Sequence, residues 1–235
     1  MNKLFCALLL TIIAFSAERA LSAEPAESTK LSIKGDRSKL DFAGQIYRYW
    51  GNASLSQADL SIQADEIVAR RNPDGQAQQI NFSGTPVRME QSASGKTGSL
   101  LLTARTLEYQ VASDEINATT DVTLTQKQSK QQYFELTATQ TQIIRSNSMN
   151  LRAKGNPLKL VITQAGREPI HAQAEQLLFD EATQQFELTG GVLLSTEREN
   201  IKAHKILYNA NTQILQIPEN KEQQSEMTQT IKGQP

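Results

Sequence analysis

The sequence predicts an all-β protein built from repeated strand-turn-strand units. Segments of alternating apolar and polar residues recur along the chain, and turns rich in Asn, Asp, Gly and Ser separate them. The apolar positions of each segment fall on one side only, which is typical of an antiparallel sheet packed on one face. No segment combines sustained helical spacing with helix caps. We therefore expect a curved antiparallel sheet with an apolar inner face.

The repeat unit is clearest between residues 170 and 208. It has a short apolar strand that begins with a small residue, then a polar turn, then an alternating strand that carries a glycine. The small residue recurs at intervals of 29, 40, 34, 36 and 29, as Gly35, Ala64, Ala104, Ala138, Ala174 and Ala203. A second marker follows the first five by 16, 20, 17, 17 and 17 residues, as Gly51, Gly84, Asp121, Gly155 and Gly191. This regularity predicts a repeat array.

The strands of each unit change their alternation pattern near the markers. Pro86 follows Gly84 and Pro157 follows Gly155, and the apolar positions shift parity after both prolines. A proline beside a glycine within a strand indicates a β-bulge or a corner. The first strand of each unit shifts parity too, so we expect bent strands and a sheet folded over on itself. The fourth copy is weaker than the others, since it carries Thr141 where they carry an apolar residue.

The two ends of the chain differ from the repeats. Residues 1–23 form the expected signal peptide, with Lys3, an apolar run from Leu4 to Phe15, and small residues at 20–23 for cleavage. An uncleaved N-terminal anchor is the alternative. Residues 31–217 form one expected β domain. Residues 218–235 are polar, so we expect a disordered tail.

Composition excludes several functional classes. Removing Lys3, Arg19 and Glu18 from the totals of 24 basic and 25 acidic residues leaves 22 and 24, which gives no basic footprint for nucleic acid. Cys6 is the only cysteine and lies in the expected signal peptide, so disulfides and thiolate metal sites are excluded from the mature chain. We expect no metal, no cofactor and no catalytic residue, because no hydrolase nucleophile motif or Walker loop occurs.

The repeats resemble the OstA-like repeats of the LptA/OstA-like family of periplasmic lipopolysaccharide transport proteins. The resemblance covers residues 31–217. It is carried by residues 60–68, 81–91, 107–109, 187–192 and 201–203. It implies an open, twisted β-jellyroll with a V-shaped groove for the acyl chains of lipid A. It also implies a periplasmic location and a bridge between the inner and outer membranes, formed with jellyroll partners in each.

A groove for acyl chains requires apolar side chains on the inner face of the sheet. The inward positions of the alternating strands are the candidates: Ile80, Phe82, Val87, Met89, Ile116, Val122, Leu124, Phe134, Leu136, Leu151, Leu158, Leu160, Phe186, Leu188, Val192 and Leu194. From the pattern alone these residues would equally fill an ordinary dry core. Only the resemblance favours a lipid groove.

The edge strands at the two ends of an open sheet predict a further function, which is association with other chains. Unpaired edge strands are docking surfaces for other chains. We expect these edges at Leu31 and Ile33 and at Ile214 and Ile217, with head-to-tail association of copies by β-augmentation. The main alternative function is a β-jellyroll interaction module of the cell envelope that binds no lipid. A membrane-anchored partner in the same pathway is a further alternative, if the signal peptide stays uncleaved.

Overall fold

The computed structural model describes residues 30–93, 98–129, 132–145, 148–219 and 225–229. The expected signal peptide lies outside these residues. The described part confirms the all-β prediction, with fourteen strands. They are β1 (Ser32–Lys34), β2 (Arg37–Asp41), β3 (Ile46–Gln57), β4 (Leu60–Arg71), β5 (Ala77–Gln91), β6 (Ser99–Gln110), β7 (Glu115–Ser129), β8 (Gln132–Ile144), β9 (Asn150–Gln164), β10 (Ile170–Asp180), β11 (Gln185–Ser195), β12 (Glu199–Asn209), β13 (Ile214–Gln216) and β14 (Glu226–Gln229). The described residues contain no helix suited to crossing a membrane.

The strands form a single antiparallel sheet that does not close. From β3 to β12 each strand pairs with the next one along the chain. At one edge, β1 and β2 pair with different halves of β3. At the other edge, β13 and β14 pair with different halves of β12. This arrangement is an open β-jellyroll in which neighbours in sequence are neighbours in the sheet.

The long strands bend near their middle, at the markers that the sequence repeats. β3, β7 and β11 bend where Gly51, Asp121 and Gly191 have positive φ values of 72°, 54° and 55°. β5 and β9 bend at Gly84 and Gly155, each followed by a cis proline two residues later. The register of the ladders shifts at all of these positions, so the predicted corners are confirmed. Asp121 takes the place of glycine in the third copy.

The bends divide the sheet into two layers. Layer A contains residues 37–41, 46–50, 66–71, 77–83, 106–110, 115–119, 140–144, 150–154, 176–180, 185–189, 205–209 and 214–216. Layer B contains residues 32–34, 53–57, 60–64, 87–91, 99–104, 122–129, 132–138, 158–164, 170–174, 192–195, 199–203 and 226–229. The inner faces of both layers are apolar and buried, and the core lies between them.

The layers are offset along the sheet. Phe134 in layer B of β8 contacts Phe179 and Phe186 in layer A of β10 and β11, with ring centroids 5.0 and 5.3 Å apart. Tyr109 in layer A of β6 bonds Gln57 in layer B of β3. Layer A of each strand therefore covers layer B of a strand two or three positions earlier.

The polar tail differs from the expectation. Four of its residues form β14, which pairs with residues Glu199 to Lys202 of β12. The side chains of Glu226, Met227 and Thr228 are exposed, so burial of side chains does not explain this strand. The exposed edge of β12 offers unpaired backbone N–H and C=O groups, which a polar segment can satisfy as well as an apolar one.

Candidate functional site

The sixteen candidate groove residues all lie on the inner face of the sheet. Their side chains are between 0 and 4% exposed, with Ile80 at one limit and Phe134 at the other. Alternation fixes this placement, because successive side chains of a strand point to opposite faces. The bends then re-aim the second half of each strand, so that both halves bury their apolar side.

The inner face of layer B carries one continuous apolar row across the sheet. By the register of the ladders its members are Ile33, Leu55, Ile62, Met89, Leu102, Leu124, Leu136, Leu160, Ala172, Leu194, Ile201 and Met227. Strands lie about 4.8 Å apart, so this row is roughly 50 Å long. It runs from one edge strand of layer B to the other.

The two layers are in contact, so the sixteen side chains form a packed interior, and within the described part of the chain no open groove separates the layers. Phe179 and Phe186 lie 4.4 Å apart between ring centroids, and Tyr208 continues the cluster at 6.3 Å from Phe186. Depressions of about 400 Å³ do occur on the outer face, where Lys159, His171 and Leu193 contribute to one of them. The interior between the layers is therefore apolar and closely packed.

Polar contacts join the layers along the side opposite the bends, which we call the mouth. At the N-terminal part of the mouth, the Tyr109 hydroxyl bonds Gln57 Oε1 at 3.2 Å and Asp114 Oδ1 at 3.1 Å. On the layer A side of the mouth, Arg145 forms an ion pair with Asp114 at 2.6 Å. Burial, together with the negative charge of Asp114, raises the pKa of Tyr109 to about 12. The phenol therefore stays neutral at physiological pH and can donate.

Two similar groups follow along the mouth. Gln126 Nε2 donates to Glu181 Oε1 at 3.0 Å, and Glu181 Oε2 accepts the backbone N–H of Met149 at 2.9 Å. Further along, Gln164 Nε2 donates to the carbonyl of Ala210 at 2.8 Å, and the Tyr208 hydroxyl bonds Gln164 Oε1 at 3.2 Å. Burial raises the pKa of Tyr208 as well. Glutamines at the ends of β3, β7 and β9 thus link layer B to layer A.

Acidic residues occur in adjacent pairs at positions 65–66, 114–115 and 180–181, and they bind other protein groups. Asp65 accepts from the backbone N–H of Thr85 at the bend of β5, and Asp180 accepts from the backbone N–H groups of its own turn. Hydrogen bonds from Asn117 and Gln142 lower the pKa of Glu115. These contacts stabilise bends and turns. The described residues contain no cluster of His, Cys, Asp and Glu suited to a metal, and His171 and His204 are exposed.

The ends of the sandwich expose parts of the inner rows. In layer A, the inner row that contains Ala69, Ile80 and Tyr109 continues through Tyr47 to Leu40, which is 44% exposed. In layer B, the apolar row continues beyond Ile201 to Met227, which is 59% exposed. Of the four predicted edge residues, Ile214 and Ile217 are exposed at 53 and 36%. Leu31 and Ile33 are partly buried against the core. The exposed apolar surface at the N-terminal end is therefore on β2 and not on β1.

Comparison with known families assigns this fold. The family described as "LptA/(LptD N-terminal domain) LPS transport protein" matches residues 32–142 and, in a second match, residues 128–214. The chain belongs to this family. These two matches span β1 to the first residue of β13, which includes both layers and all sixteen candidates.

Several solved structures match this member of the LPS transport family, and one of them comes from Pseudomonas aeruginosa. It is the crystal structure of LptH from Pseudomonas aeruginosa, described as the LptA homologous periplasmic component of the conserved lipopolysaccharide transport device. The sequences are 10% identical, the alignment covers 87% of this chain and 96% of LptH, and the TM-score is 0.33. No curated protein gives a significant sequence match.

The sequence reasoning missed several residues of this family member. Leu40 and Met227 are exposed apolar side chains at the ends of the inner rows, and only the register of β2 and β14 places them there. The contacts of the glutamines at the mouth were not predicted from the sequence either. A signal for Gln57, Gln126 and Gln164 was present, since each occupies the last or a late position of an odd-numbered strand.

Proposed function

We propose that this protein carries lipopolysaccharide through the periplasm between the inner and outer membranes, with the acyl chains of lipid A held between layers A and B. The observation that carries the proposal is the continuous apolar row of layer B in a member of an LPS transport family. Each methylene that leaves water contributes about 0.8 kcal/mol, so a partly enclosed acyl chain would bind strongly without any catalytic group.

Lipid entry requires the layers to separate along the mouth. A few hydrogen bonds between described residues cross the mouth from layer to layer, whereas the opposite side is held by covalent continuity through the bends. Each such hydrogen bond contributes only about 0.5 to 1.5 kcal/mol, so the mouth is the side that can open. The acyl chains would then replace contacts between the layers, with the polar headgroup at the mouth.

Edge strands support the bridging part of the proposal. β2 and β13 are the edges of layer A, and β1 and β14 are the edges of layer B. Their outward backbone groups can extend the sheet into a jellyroll partner at either membrane, or into a second copy of this chain. A periplasmic location would give the protein access to both kinds of partner.

The offset between the layers supports head-to-tail association in particular. The inner row of layer A is exposed at the N-terminal end, at Leu40, while the row of layer B is exposed at the C-terminal end, at Met227. Because the exposed faces belong to opposite layers, the N-terminal end of one copy can cover the C-terminal end of the next. Both apolar rows would then continue from copy to copy.

Photo-crosslinking at two neighbouring leucines tests the lipid site. Leu194 is 3% exposed on the inner face and Leu193 is 45% exposed on the outer face of β11. A photoreactive residue at 194 should form LPS adducts, and the same residue at 193 should form none. Circular dichroism checks that both variants keep the β fold. Equal labelling at the two positions would contradict an interior site.

The same experiment distinguishes lipid transport from a second candidate function, that of an interaction module. The closed interior favours an interaction module that binds no lipid, because packed side chains leave no space for a ligand in this state. If position 194 gives no LPS adduct while the protein still associates through its edges, this second function would replace the first.

Charged substitutions at the exposed rows test the association. Leu40→Asp and Met227→Asp should each weaken self-association about tenfold or more, measured by concentration-dependent light scattering, since each places a carboxylate in an apolar contact. Leu178→Asp, on the exposed outer face, is the control and should leave the association constant unchanged. Unchanged association in the first two variants would exclude the head-to-tail contact.

A further inference from the structure

Thr141 departs from the repeat pattern on the inner face of layer A. The register of the ladders puts it in one row with Ile67 of β4, Leu107 of β6, Leu177 of β10 and Ile206 of β12. All five side chains are 0 to 2% exposed. The four others are large and apolar, and Ser38 at the β2 end of the row is exposed, so among the described residues Thr141 brings the only buried hydroxyl that the even-numbered strands contribute to this row.

The cross-strand neighbours of Thr141 are both small. Ala118 on β7 and Ala153 on β9 are its register partners, whereas Phe82 on β5 and Leu188 on β11 occupy the corresponding places nearer the two ends of the row. Three adjacent strands therefore present Ala, Thr and Ala to the interior. The inner face of layer A carries least side-chain volume at this point of the row.

The Thr141 hydroxyl has no hydrogen-bond partner, although its residue is fully buried. An unpaired hydroxyl in an apolar interior is destabilising, because it loses its bonds to water and gains none. Valine has almost the same shape and carries no such cost. The stability of the closed protein therefore gives no reason for a threonine here.

We propose that Thr141, between Ala118 and Ala153, is the subsite that binds the hydroxyl group of a hydroxylated acyl chain in the interior. This inference rests on the proposed lipid-carrying function and names the part of the acyl chain that is recognised. The threonine hydroxyl can both donate and accept, as can the hydroxyl of the ligand, so one hydrogen bond satisfies both groups. Once the layers separate, the two alanines would let the acyl chain approach the threonine hydroxyl closely. In an apolar interior such a bond discriminates against an acyl chain that lacks the hydroxyl.

The test compares two fatty acids of equal length, β-hydroxymyristate and myristate, as competitors of a fluorescent lipid on the full mature chain. The wild-type protein should bind the hydroxylated acid about threefold to tenfold more tightly than myristate, the range expected for one hydrogen bond. Thr141→Val should bind both acids equally. Thr141→Ser keeps the hydroxyl and should keep the preference. Thr137→Val, on the exposed outer face of the same strand, is the matched control and should also keep it.

Thermal unfolding supplies a second measurement on the same variants. Thr141→Val should raise the melting temperature by about 2–4 °C, because the buried hydroxyl without a partner is removed. This result would show that any loss of preference comes from the missing hydroxyl and not from misfolding. A fall of several degrees would overturn the claim that the hydroxyl is unpaired in the ligand-free protein.

The remaining outcomes separate the inference from the function on which it rests. The same preference in wild type and Thr141→Val would overturn the inference alone. So would a failure of both fatty acids to bind while LPS still crosslinks at position 194. If LPS crosslinking at 194 also fails, the proposed function is overturned together with the inference.

Discussion

The interior has two regions that differ in how they are filled. Near the C-terminal end, Phe134, Phe179, Phe186 and Tyr208 form an aromatic cluster across the layers, with ring centroids between 4.4 and 6.3 Å apart. In the centre of layer A, the cross-strand residues are Ala118, Thr141 and Ala153. Aromatic side chains bury the most surface and fix the distance between layers, whereas small residues do neither. The aromatic cluster therefore anchors the sandwich, and the central region is where an inserted chain displaces least.

Removal of a ring from the aromatic cluster should have the largest effect. Phe186→Ala should lower the free energy of unfolding by about 3–5 kcal/mol, because it deletes contacts with three other rings. Denaturant titration measures the change. Phe42→Ala is the control, since Phe42 is 73% exposed and its loss should cost under about 0.5 kcal/mol. Equal costs would mean that the cluster does not anchor the layers.

Added volume in the central region should have a smaller effect on stability and a clear one on binding. Ala153→Leu should cost about 1–3 kcal/mol through overpacking, and it should reduce LPS binding because it fills the proposed place of an acyl chain. Ala182→Leu, in an exposed turn, is the control. A gain in stability for Ala153→Leu would reveal an unfilled cavity and contradict the packed interior.

The hydrogen bonds at the mouth should contribute less than the aromatic cluster. Glu181→Ala removes the acceptor of the Gln126 amide and of the Met149 N–H, so we expect a loss of about 1–2 kcal/mol in denaturant titration. Glu197→Ala, at an exposed turn position, should change the unfolding free energy by less than about 0.5 kcal/mol. No difference between the two variants would mean that Glu181 does not hold the mouth closed.

The smallest effect should appear at high pH. Burial and Asp114 raise the pKa of Tyr109 to about 12 from its ordinary value of 10.0, so the folded state favours the neutral phenol. The resulting stabilisation is complete below pH 10 and is lost as the pH rises to about 12. The unfolding midpoint should fall across this window, and less steeply in Tyr109→Phe. Tyr133→Phe, at a partly exposed site, is the control. Identical slopes in the wild type and in Tyr109→Phe would show that Tyr109 does not cause the loss of stability at high pH.

Local patterns predicted much of this molecule. Alternation identified the inward residues such as Phe82 and Leu160, because side-chain direction in a strand depends only on position. The recurring small residues predicted the bends, and even Asp121 was found through its spacing, although glycine is the usual residue where φ is positive. These features are local, and each strand carries its own signal.

Features that depend on how distant strands stack were not predicted. The offset between the layers follows from the twist accumulated over many strands, which no short segment specifies. For this reason the sequence did not predict that Leu40 and Met227 are exposed or that the two layers are in contact. It also did not predict that Gln126 links the layers at the mouth. β14 was missed because backbone pairing at an edge leaves little trace in polar side chains.

The most direct test of the account is to lock the mouth. Gln126→Cys and Glu181→Cys replace two residues whose side chains are in contact across the layers, and the mature chain expected from the sequence has no other cysteine. A short bis-maleimide should join this pair and hold layers A and B together. We expect the crosslinked protein to lose LPS binding and the same double variant without crosslinker to retain it. Undiminished LPS binding by the crosslinked protein would contradict entry of acyl chains between the layers.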